Sequence, residues 1–286
     1  MHLISSGFRY LHAMSSRCLA VCSWSLRPSD PAQLVERMKQ SGMKAVQLDF
    51  TPLVDAPEIW KDATQRLTDA GMVIASGMMR PRGEDYSTIA SIRATGGVRP
   101  DATWVQNQQL AARVAELASR AGVSLVSFHG GCLPHDQSDP QRAIMRQRLQ
   151  ILIDLFQASG VRVAFETGQE RAEHLLEALH EINRPTAGVN FDPANMLLYG
   201  AGNPMQALAI LHPWVRQVHA KDAHASAQSG AWGKETPLGE GEVPWTEFMS
   251  VVRSLSTGVS VVIEREGGDR RVEEVASARA FLEPML

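Results

Sequence analysis

The stretch RVAFETGQERAEHLLEALHEINRPTAGVNFDPANM, residues 162–196, contains one complete strand–helix–strand unit. Arg162–Glu166 and Ala187–Asp192 are short runs of mainly apolar residues, and Glu170–Ile182 between them is an amphipathic stretch of helical length. Two strands joined by a helix run parallel, because the helix carries the chain back to the end of the sheet where the first strand began. Each run ends in a carboxylate, so both carboxylates are expected at the same edge of a parallel sheet.

The same alternation continues on both sides of this unit. The predicted strands are Leu19–Trp24, Ala45–Asp49, Val73–Gly77, Ser124–His129, Arg162–Glu166, Ala187–Asp192, Gln217–Ala220 and Val259–Glu264. The predicted helices are Asp30–Ser41, Glu58–Ala70, Thr103–Ala121, Pro140–Ser159, Glu170–Ile182, Pro204–Leu211, Pro244–Ser254 and Arg271–Phe281. Glycines that favour a left-handed helix end follow four of the helices: Gly42, Gly71, Gly122 and Gly160. Eight strand–helix units are typical of an α/β protein with a closed (β/α)8 TIM barrel.

An open, doubly wound sheet is the alternative architecture. It predicts a glycine-rich phosphate-binding turn after the first strand, and the chain has Cys22-Ser23-Trp24-Ser25 at that place. The barrel is therefore favoured, and residues 18–286 are interpreted as one barrel domain. Residues 1–17 are interpreted as a disordered N-terminal extension.

Charge and cysteine content narrow the function classes. The net charge of −3 does not favour binding to nucleic acid or to an anionic membrane. The chain has no apolar run of about 18 residues, so no transmembrane helix is expected. The three cysteines are too few and too scattered for a disulfide framework, which predicts a reducing, cytoplasmic environment.

Two long polar segments interrupt the regular pattern. Residues 80–100 follow the third predicted strand, and residues 222–243 follow the seventh. Loops on this side of a barrel build the active site, so both segments are interpreted as rims or lids over a pocket. A plain surface insertion is the alternative, above all for the first segment.

Four potential metal ligands stand at the ends of four consecutive predicted strands. They are Glu166, Asp192, His219 and Glu264, and the carboxyl ends of parallel barrel strands meet at one mouth. Three converging carboxylates would repel one another and raise one another's pKa, a conflict that a divalent cation removes. Oxygen ligands with one imidazole and no thiolate suit Mn²⁺, Mg²⁺, Co²⁺ or, less exclusively, Zn²⁺. The sequence therefore predicts one divalent metal ion, with manganese preferred.

Each of these residues has an ordinary structural alternative. Either glutamate could neighbour a helix N-terminus or lie on the surface, Asp192 could cap the turn that begins at Pro193, and His219 could be a packed core histidine. The metal interpretation depends on all four occurring together. The predicted substrate contacts around the same mouth are Trp24, His129, Asn195, Lys221 and Asp222. Packing or a plain ion pair is the alternative for these.

Six segments within residues 128–266 resemble the sugar phosphate isomerase/epimerase family, the xylose isomerase-like TIM barrels, and within it the D-tagatose 3-epimerase group. The segments are FHGG, FETGQE, VNFDPANM, VHAKD, PLGEGEVPW and VIERE. The resemblance implies one divalent metal held by the four residues above, with Glu166 and Glu264 also acting as the acid/base pair. The implied enzyme is a metal-dependent isomerase or epimerase of carbohydrate metabolism that acts on a ketose or a sugar phosphate. One glutamate would remove the proton alpha to the carbonyl, the metal would stabilise the enediolate, and the other glutamate would return a proton.

One position departs from the family pattern. Sugar epimerases often carry a substrate-binding histidine three residues after the sixth-strand aspartate, and this chain has Asn195 there. Asparagine can hydrogen-bond a hydroxyl but cannot carry a charge. A tagatose-type substrate therefore does not follow from the resemblance.

Other functions remain open on the same fold. An inosose-type dehydratase would use the same metal site and eliminate water after proton abstraction, and a non-catalytic barrel would bind sugar without proton exchange. An apurinic endonuclease would need further histidine ligands and a basic groove, neither of which the sequence supplies. The expected partners are a small sugar and, as in many relatives, further copies of the chain in a homo-oligomer.

Overall fold

Eight parallel strands close into a barrel in the computed structural model, which describes residues 17–168, 170–228 and 230–286. The strands within these residues are β1 (Leu19–Cys22), β2 (Ala45–Asp49), β3 (Val73–Met78), β4 (Leu125–Phe128), β5 (Arg162–Glu166), β6 (Ala187–Phe191), β7 (Val215–Ala220), β8 (Asp222–His224), β9 (Lys234–Thr236) and β10 (Ser260–Ile263). The barrel order is β1-β10-β7-β6-β5-β4-β3-β2, and β8 and β9 form a separate hairpin. The predicted TIM barrel is confirmed, and closure excludes the open sheet. The predicted disordered extension, residues 1–17, lies outside the described residues except for Arg17.

Helices surround the barrel. They are α1 (Pro31–Ser41), α2 (Thr51–Asp55), α3 (Pro57–Trp60), α4 (Ala63–Asp69), α5 (Ile89–Thr95), α6 (Asp101–Arg120), α7 (Pro140–Ala158), α8 (Ala172–Ile182), α9 (Pro193–Leu198), α10 (Pro204–Leu211), α11 (Trp245–Ser254) and α12 (Arg271–Leu282). The predicted helix-ending glycines all have positive φ: 73° at Gly42, 72° at Gly71, 72° at Gly122 and 75° at Gly160. A side chain at those positions would be strained, so each glycine ends its helix where the sequence predicted.

The structure differs from the sequence prediction mainly in the segments between strands and helices. The first strand stops at Cys22 because the next four residues form a 3-10 turn, and the predicted helix Glu58–Ala70 is split into α3 and α4. The long segment 80–100 contains α5, which begins with a capping box between Thr88 and Ser91. None of the helices in the described residues has the length and apolarity needed to cross a membrane.

The barrel order brings the ends of four strands together. Strands β5, β6, β7 and β10 are consecutive neighbours, with Glu166 paired to Asn190 and His219 paired to Val262. Polar side chains also meet through the barrel interior, since Gln47 on β2 contacts Ser127 on β4 although β3 lies between these strands. This end of the barrel interior is therefore partly polar, and it forms the floor of the site described next.

Candidate metal centre

Glu166, Asp192, His219 and Glu264 converge at the carboxyl ends of their strands. Glu166 is the last residue of β5, Asp192 directly follows β6, His219 lies in β7 and Glu264 directly follows β10. One ligand atom from each lies within 4.8 Å of the others, and all four residues are buried. The sequence interpretation that these residues share one mouth thus agrees with where the structure places them.

The spacing of the ligand atoms is that of a metal coordination shell. His219 Nδ1 lies 3.3 Å from Glu166 Oε1, 3.3 Å from Glu264 Oε2 and 4.0 Å from Asp192 Oδ2. Metal–ligand bonds of about 2.1 Å place adjacent ligand atoms about 3 Å apart and opposite ones about 4 Å apart. A single ion therefore fits among these four residues without a rearrangement of the backbone.

Two atoms facing this point, Asp192 Oδ2 and His219 Nδ1, have no hydrogen-bond partner among the described residues, and the second oxygen of Glu166, Oε2, has none either. Buried polar atoms are rarely left unpaired, because each loses its hydration without compensation. The two oxygens of Asp192 have different surroundings. Oδ1 accepts from the backbone N–H groups of Ala194 (2.8 Å) and Asn195 (3.0 Å), whereas Oδ2 has no partner among the described residues. The predicted capping role and the predicted ligand role therefore use different oxygens of one carboxylate.

The predicted mutual raising of pKa is found at Asp192 but not at Glu264 or Glu166. Despite burial, the His219 imidazole lowers the pKa of Glu166. Burial and the nearby charges of Glu264 and Glu166 raise the pKa of Asp192 well above its usual value. Burial alone would raise the pKa of Glu264 as well, but the cationic Lys221 and the His219 imidazole hold it well below its usual range. A divalent cation would stabilise all three carboxylates in their ionised form, so the donor set fits such an ion.

The orientation of His219 is set by Gln47. His219 Nε2 lies 2.7 Å from Gln47 Oε1, while the Gln47 amide nitrogen donates to Ser127 Oγ (2.7 Å) and to the Gly77 carbonyl (3.2 Å). Because those two acceptors fix the amide nitrogen, the amide oxygen must face the imidazole and accept its Nε2–H. Nδ1 is then the nitrogen that faces the carboxylates and can bind a metal.

We expect Gln47→Met to weaken Mn²⁺ binding by about 10- to 100-fold, because the imidazole loses the acceptor that fixes its tautomer. Titration of the metal-free protein with Mn²⁺, followed by calorimetry, measures the change. Ser127→Ala is the matched control, since it removes one contact of Gln47 but leaves the contact to His219. Unchanged affinity in a folded Gln47→Met protein would contradict this role.

A cavity of about 410 Å³, here called the mouth cavity, opens above the four converging residues. Its volume is within the range of about 300–1,000 Å³ that is typical of small-molecule sites. Four of the predicted substrate contacts line it: Trp24, His129, Asn195 and Lys221. Glu166 and Glu264 also reach its wall, so groups bound there would contact both glutamates.

Two of these lining residues are hydrogen-bonded to the two glutamates, and a third lies close to one of them. Trp24 Nε1 donates to Glu264 Oε1 at 2.8 Å, and Asn195 Nδ2 donates to Glu166 Oε1 at 3.1 Å. His129 Nε2 lies 3.7 Å from Glu166 Oε2, and its side chain is only 13% exposed. Asn195 therefore orients a glutamate, a role for which a neutral donor is sufficient.

Lys221 links two other segments of the site, those that follow β6 and β10, through hydrogen bonds. Its buried ammonium donates to Glu264 Oε2 (3.1 Å), to Asn195 Oδ1 (3.3 Å) and to Glu266. Burial would lower the pKa of Lys221, but Glu264, Glu266 and Asp192 raise it well above its usual value. All three ammonium N–H groups are thus occupied by protein acceptors.

Asp222 lies outside the lining of the mouth cavity. Its carboxylate accepts from the backbone N–H groups of Gly239 (2.9 Å), Gly241 (3.1 Å) and Val243 (3.2 Å) and from the indole N–H of Trp245 (2.8 Å). The structure therefore gives Asp222 contacts with the GEGEVPW loop in place of the predicted substrate contact, and it gives Trp245 a structural hydrogen bond.

The sequence interpretation missed several residues of the site. Glu84 and Tyr86 come from segment 80–100 and line the mouth cavity, as do Tyr199 and Glu266. For Trp232, in segment 222–243, the sequence leaves both packing and pocket lining open. Trp232 lines the cavity, so both long segments reach the mouth. The length of these segments indicated a rim, but no pattern indicated which of their side chains point inward.

Comparisons with known proteins agree with this architecture. A family model described as xylose isomerase-like TIM barrel matches residues 35–285. A xylose isomerase domain protein from Planctomyces limnophilus is 29% identical, with a TM-score of 0.80 over 88% of this chain and 91% of that one. A search of curated proteins finds no match to the sequence.

Two more distant structures share the fold alone. A probable 3-DHS dehydratase from Bacillus anthracis is 17% identical, with a TM-score of 0.71 over 93% of this chain and 98% of that one. A D-psicose 3-epimerase from Clostridium cellulolyticum H10, solved with D-tagatose, is 13% identical, with a TM-score of 0.69 over 94% of this chain and 99% of that one. The same barrel thus supports both epimerase and dehydratase chemistry in other proteins.

Proposed function

This chain belongs to the xylose isomerase-like TIM-barrel family, and on that premise we propose that it is a divalent-metal-dependent sugar isomerase or epimerase. The observation that carries the proposal is the position of Glu166 and Glu264. Each has a carboxylate oxygen 3.3 Å from His219 Nδ1, and both reach the wall of the mouth cavity. Two carboxylates beside one bound sugar are what proton removal and proton return require.

Glu166, Asp192, His219 and Glu264 would hold the ion, for which Mn²⁺ is our preferred identity. When bound, a divalent cation supplies Lewis-acid stabilisation of negative charge on the oxygens of the sugar. Glu166 Oε2 has no hydrogen-bond partner in the described part of the chain, so this oxygen is available to receive the proton alpha to the carbonyl. Glu264 would return a proton, at the opposite face in an epimerase or at the neighbouring carbon in an isomerase.

The surrounding residues prepare the two glutamates for these roles. Trp24 and Lys221 donate to the two oxygens of Glu264, and Asn195 donates to Glu166. Each carboxylate is thereby fixed in place before substrate arrives, which reduces the reorganisation needed in the transition state. His129, beside Glu166 and in the cavity wall, would hydrogen-bond a substrate hydroxyl.

A dehydratase is the second candidate, because Glu166, whose Oε2 has no partner among the described residues, lies in the wall where a departing hydroxyl would be bound. After it has taken the proton from carbon, Glu166 would return that proton to the departing hydroxyl, whereas an isomerase retains all hydroxyls. Analysis of the product mass separates the two reactions, since only the dehydratase product is lighter by one water.

We expect the protein, purified without chelator or metal-affinity resin, to contain about one equivalent of divalent metal. It should also incorporate solvent deuterium next to the carbonyl of at least one ketose in a panel supplied with Mn²⁺. Metal analysis and mass spectrometry give the two readouts. The matched variant is the double replacement Asp192→Ala, His219→Ala, which should remain folded and lose the metal. If the wild type took up no Mn²⁺ and exchanged no proton, the chain would be better explained as a sugar-binding barrel.

A further inference from the structure

The charges around the mouth cavity restrict the substrates that can enter it. Among the described residues, its wall has two side chains that are always cationic, Arg80 and Lys221. It has four carboxylates, Glu84, Glu166, Glu264 and Glu266. Asp192 lies directly below them, so negative charge remains in excess even when a divalent cation is counted.

Both cationic side chains are already paired with protein carboxylates. The three N–H groups of Lys221 are taken by Glu264, Glu266 and Asn195. Arg80 Nε lies 2.6 Å from Oδ2 of Asp49, whose side chain is only 4% exposed. At Lys221 a phosphate or carboxylate on the substrate would have to break a buried charge pair, which is costly. At Arg80, whose side chain is 57% exposed, it would have to compete with Asp49 for a guanidinium charge that is already neutralised.

The other arginines near the mouth are engaged in the same way. Arg82, two residues beyond Arg80, donates through two nitrogens to Asp55. Arg27 lies in a smaller neighbouring depression and faces Asp269 at 3.5 Å. These three arginines and Lys221 are therefore each neutralised by an acidic partner, so none of them adds a net positive charge that would attract a phosphate.

The rest of the wall suits a neutral, hydroxylated ring. Aromatic side chains supply apolar faces, with Tyr199 and Trp232 in an edge-to-face pair 4.7 Å apart and Trp24 anchored through its indole N–H. Tyr86 O–H donates to Glu84 at 3.0 Å, and this carboxylate is well placed to accept hydrogen bonds from hydroxyl groups. Tyrosines, carboxylates and an amide hydrogen-bond hydroxyls without adding positive charge.

We infer that the substrate is a neutral, unphosphorylated sugar that lacks a carboxylate and packs a face of its carbon skeleton against these aromatic side chains. This inference rests on the proposed function for the position of the reacting carbons. It goes beyond it in excluding sugar phosphates and sugar acids from the class of substrates.

The test is equilibrium binding of matched pairs, each a ketose and its own phosphate ester, to the full chain with Mn²⁺ present. D-fructose, D-tagatose, D-psicose, D-xylulose and D-ribulose each form such a pair, and tryptophan fluorescence with calorimetry gives the dissociation constants. At least one neutral ketose should bind about tenfold or more tightly than its ester. Tighter binding of any ester than of its neutral partner would overturn the inference, as would no binding by any neutral ketose.

A charge variant tests the physical cause. Glu84→Lys should improve binding of a phosphate ester by about tenfold or more, and Glu84→Gln should improve it less. The control is Glu247→Lys, which makes the same charge change on the exposed face of α11. If Glu247→Lys and Glu84→Lys improved ester binding equally, general charge and not the cavity would set the preference.

Binding tests the substrate class and proton exchange tests the isomerase activity, so either can be contradicted while the other is supported. A neutral sugar that binds without exchange would support this substrate class and contradict the isomerase. A phosphate ester that binds best and exchanges its proton would support the isomerase and contradict this substrate class.

Discussion

Glu264→Gln and Glu166→Gln are each expected to lower the rate of solvent-deuterium exchange into a ketose substrate by about 10²- to 10⁴-fold. That range is the usual contribution of a positioned general acid or base. Glutamine keeps the size of the side chain and one oxygen that can bind a metal, but it cannot transfer a proton. The measurement is the exchange rate at saturating ketose, with metal content determined on the same samples. Full exchange by either variant would show that the two-glutamate mechanism is wrong.

The metal content of each variant determines how its loss of deuterium exchange is interpreted. A variant that retains about one equivalent of metal but loses exchange identifies proton transfer as the missing step. A variant that loses both the metal and the exchange activity shows only that a metal ligand has been removed. Glu247→Gln, an exposed carboxamide on α11, is the matched control and should change neither quantity.

The four ligand positions could be predicted because each follows from local sequence. A short apolar run followed by one carboxylate or imidazole marks a strand end, and the eightfold alternation places all strand ends at one mouth. Glu166, Asp192 and Glu264 stand at or just beyond the strand ends that the sequence indicated. The barrel itself follows from the same alternation, since few folds accommodate eight consecutive strand–helix units.

Contacts between distant residues could not be predicted in this way. Gln47 and His219 are 172 residues apart, and they meet only because β2 and β7 face each other across the barrel interior. The polar Gln47 between the apolar Val46 and Leu48 was the available signal, and it indicates that a buried polar group needs a partner without showing which residue that is. Glu84 and Tyr86 are harder still, because their segment has no periodicity that fixes the direction of a side chain.

For Asp222 the sequence predicts the position near the mouth but not the partner, since the predicted substrate contact is replaced by contacts with a loop. Asp222 follows β7 at the mouth and stands beside Lys221, which does line the cavity. Neighbouring side chains of an extended chain point to opposite sides, and the Asp222 carboxylate is directed into the GEGEVPW loop. Gly241 permits this approach, since a Cβ there would lie 2.1 Å from Asp222 Oδ1. Gly239 has a φ of 89°, a conformation that glycine adopts without strain.

Asp222→Ala is accordingly expected to lower the free energy of unfolding by about 3–5 kcal/mol, because several N–H groups lose a charged acceptor and each unsatisfied donor costs about 1–3 kcal/mol. The aspartate is 1% exposed, and its loss leaves four backbone N–H groups and one indole N–H without their acceptor. Urea denaturation of the metal-free proteins measures the change. Asp269→Asn is the control, because its fully exposed side chain should contribute less than about 0.5 kcal/mol.

A double-variant cycle separates a loop tether from a substrate contact. Gly241→Ala should also destabilise the protein, because its methyl group would collide with the Asp222 carboxylate. Once Asp222 is alanine, much of that collision is gone. The loss of stability in the double variant should therefore be smaller than the sum of the losses in the two single variants. A substrate contact predicts the reverse: little change in unfolding for Asp222→Ala and a raised KM for the sugar. Since both oxygens of this carboxylate accept from N–H groups of the protein and neither lines the mouth cavity, we expect the unfolding measurement to show the larger effect.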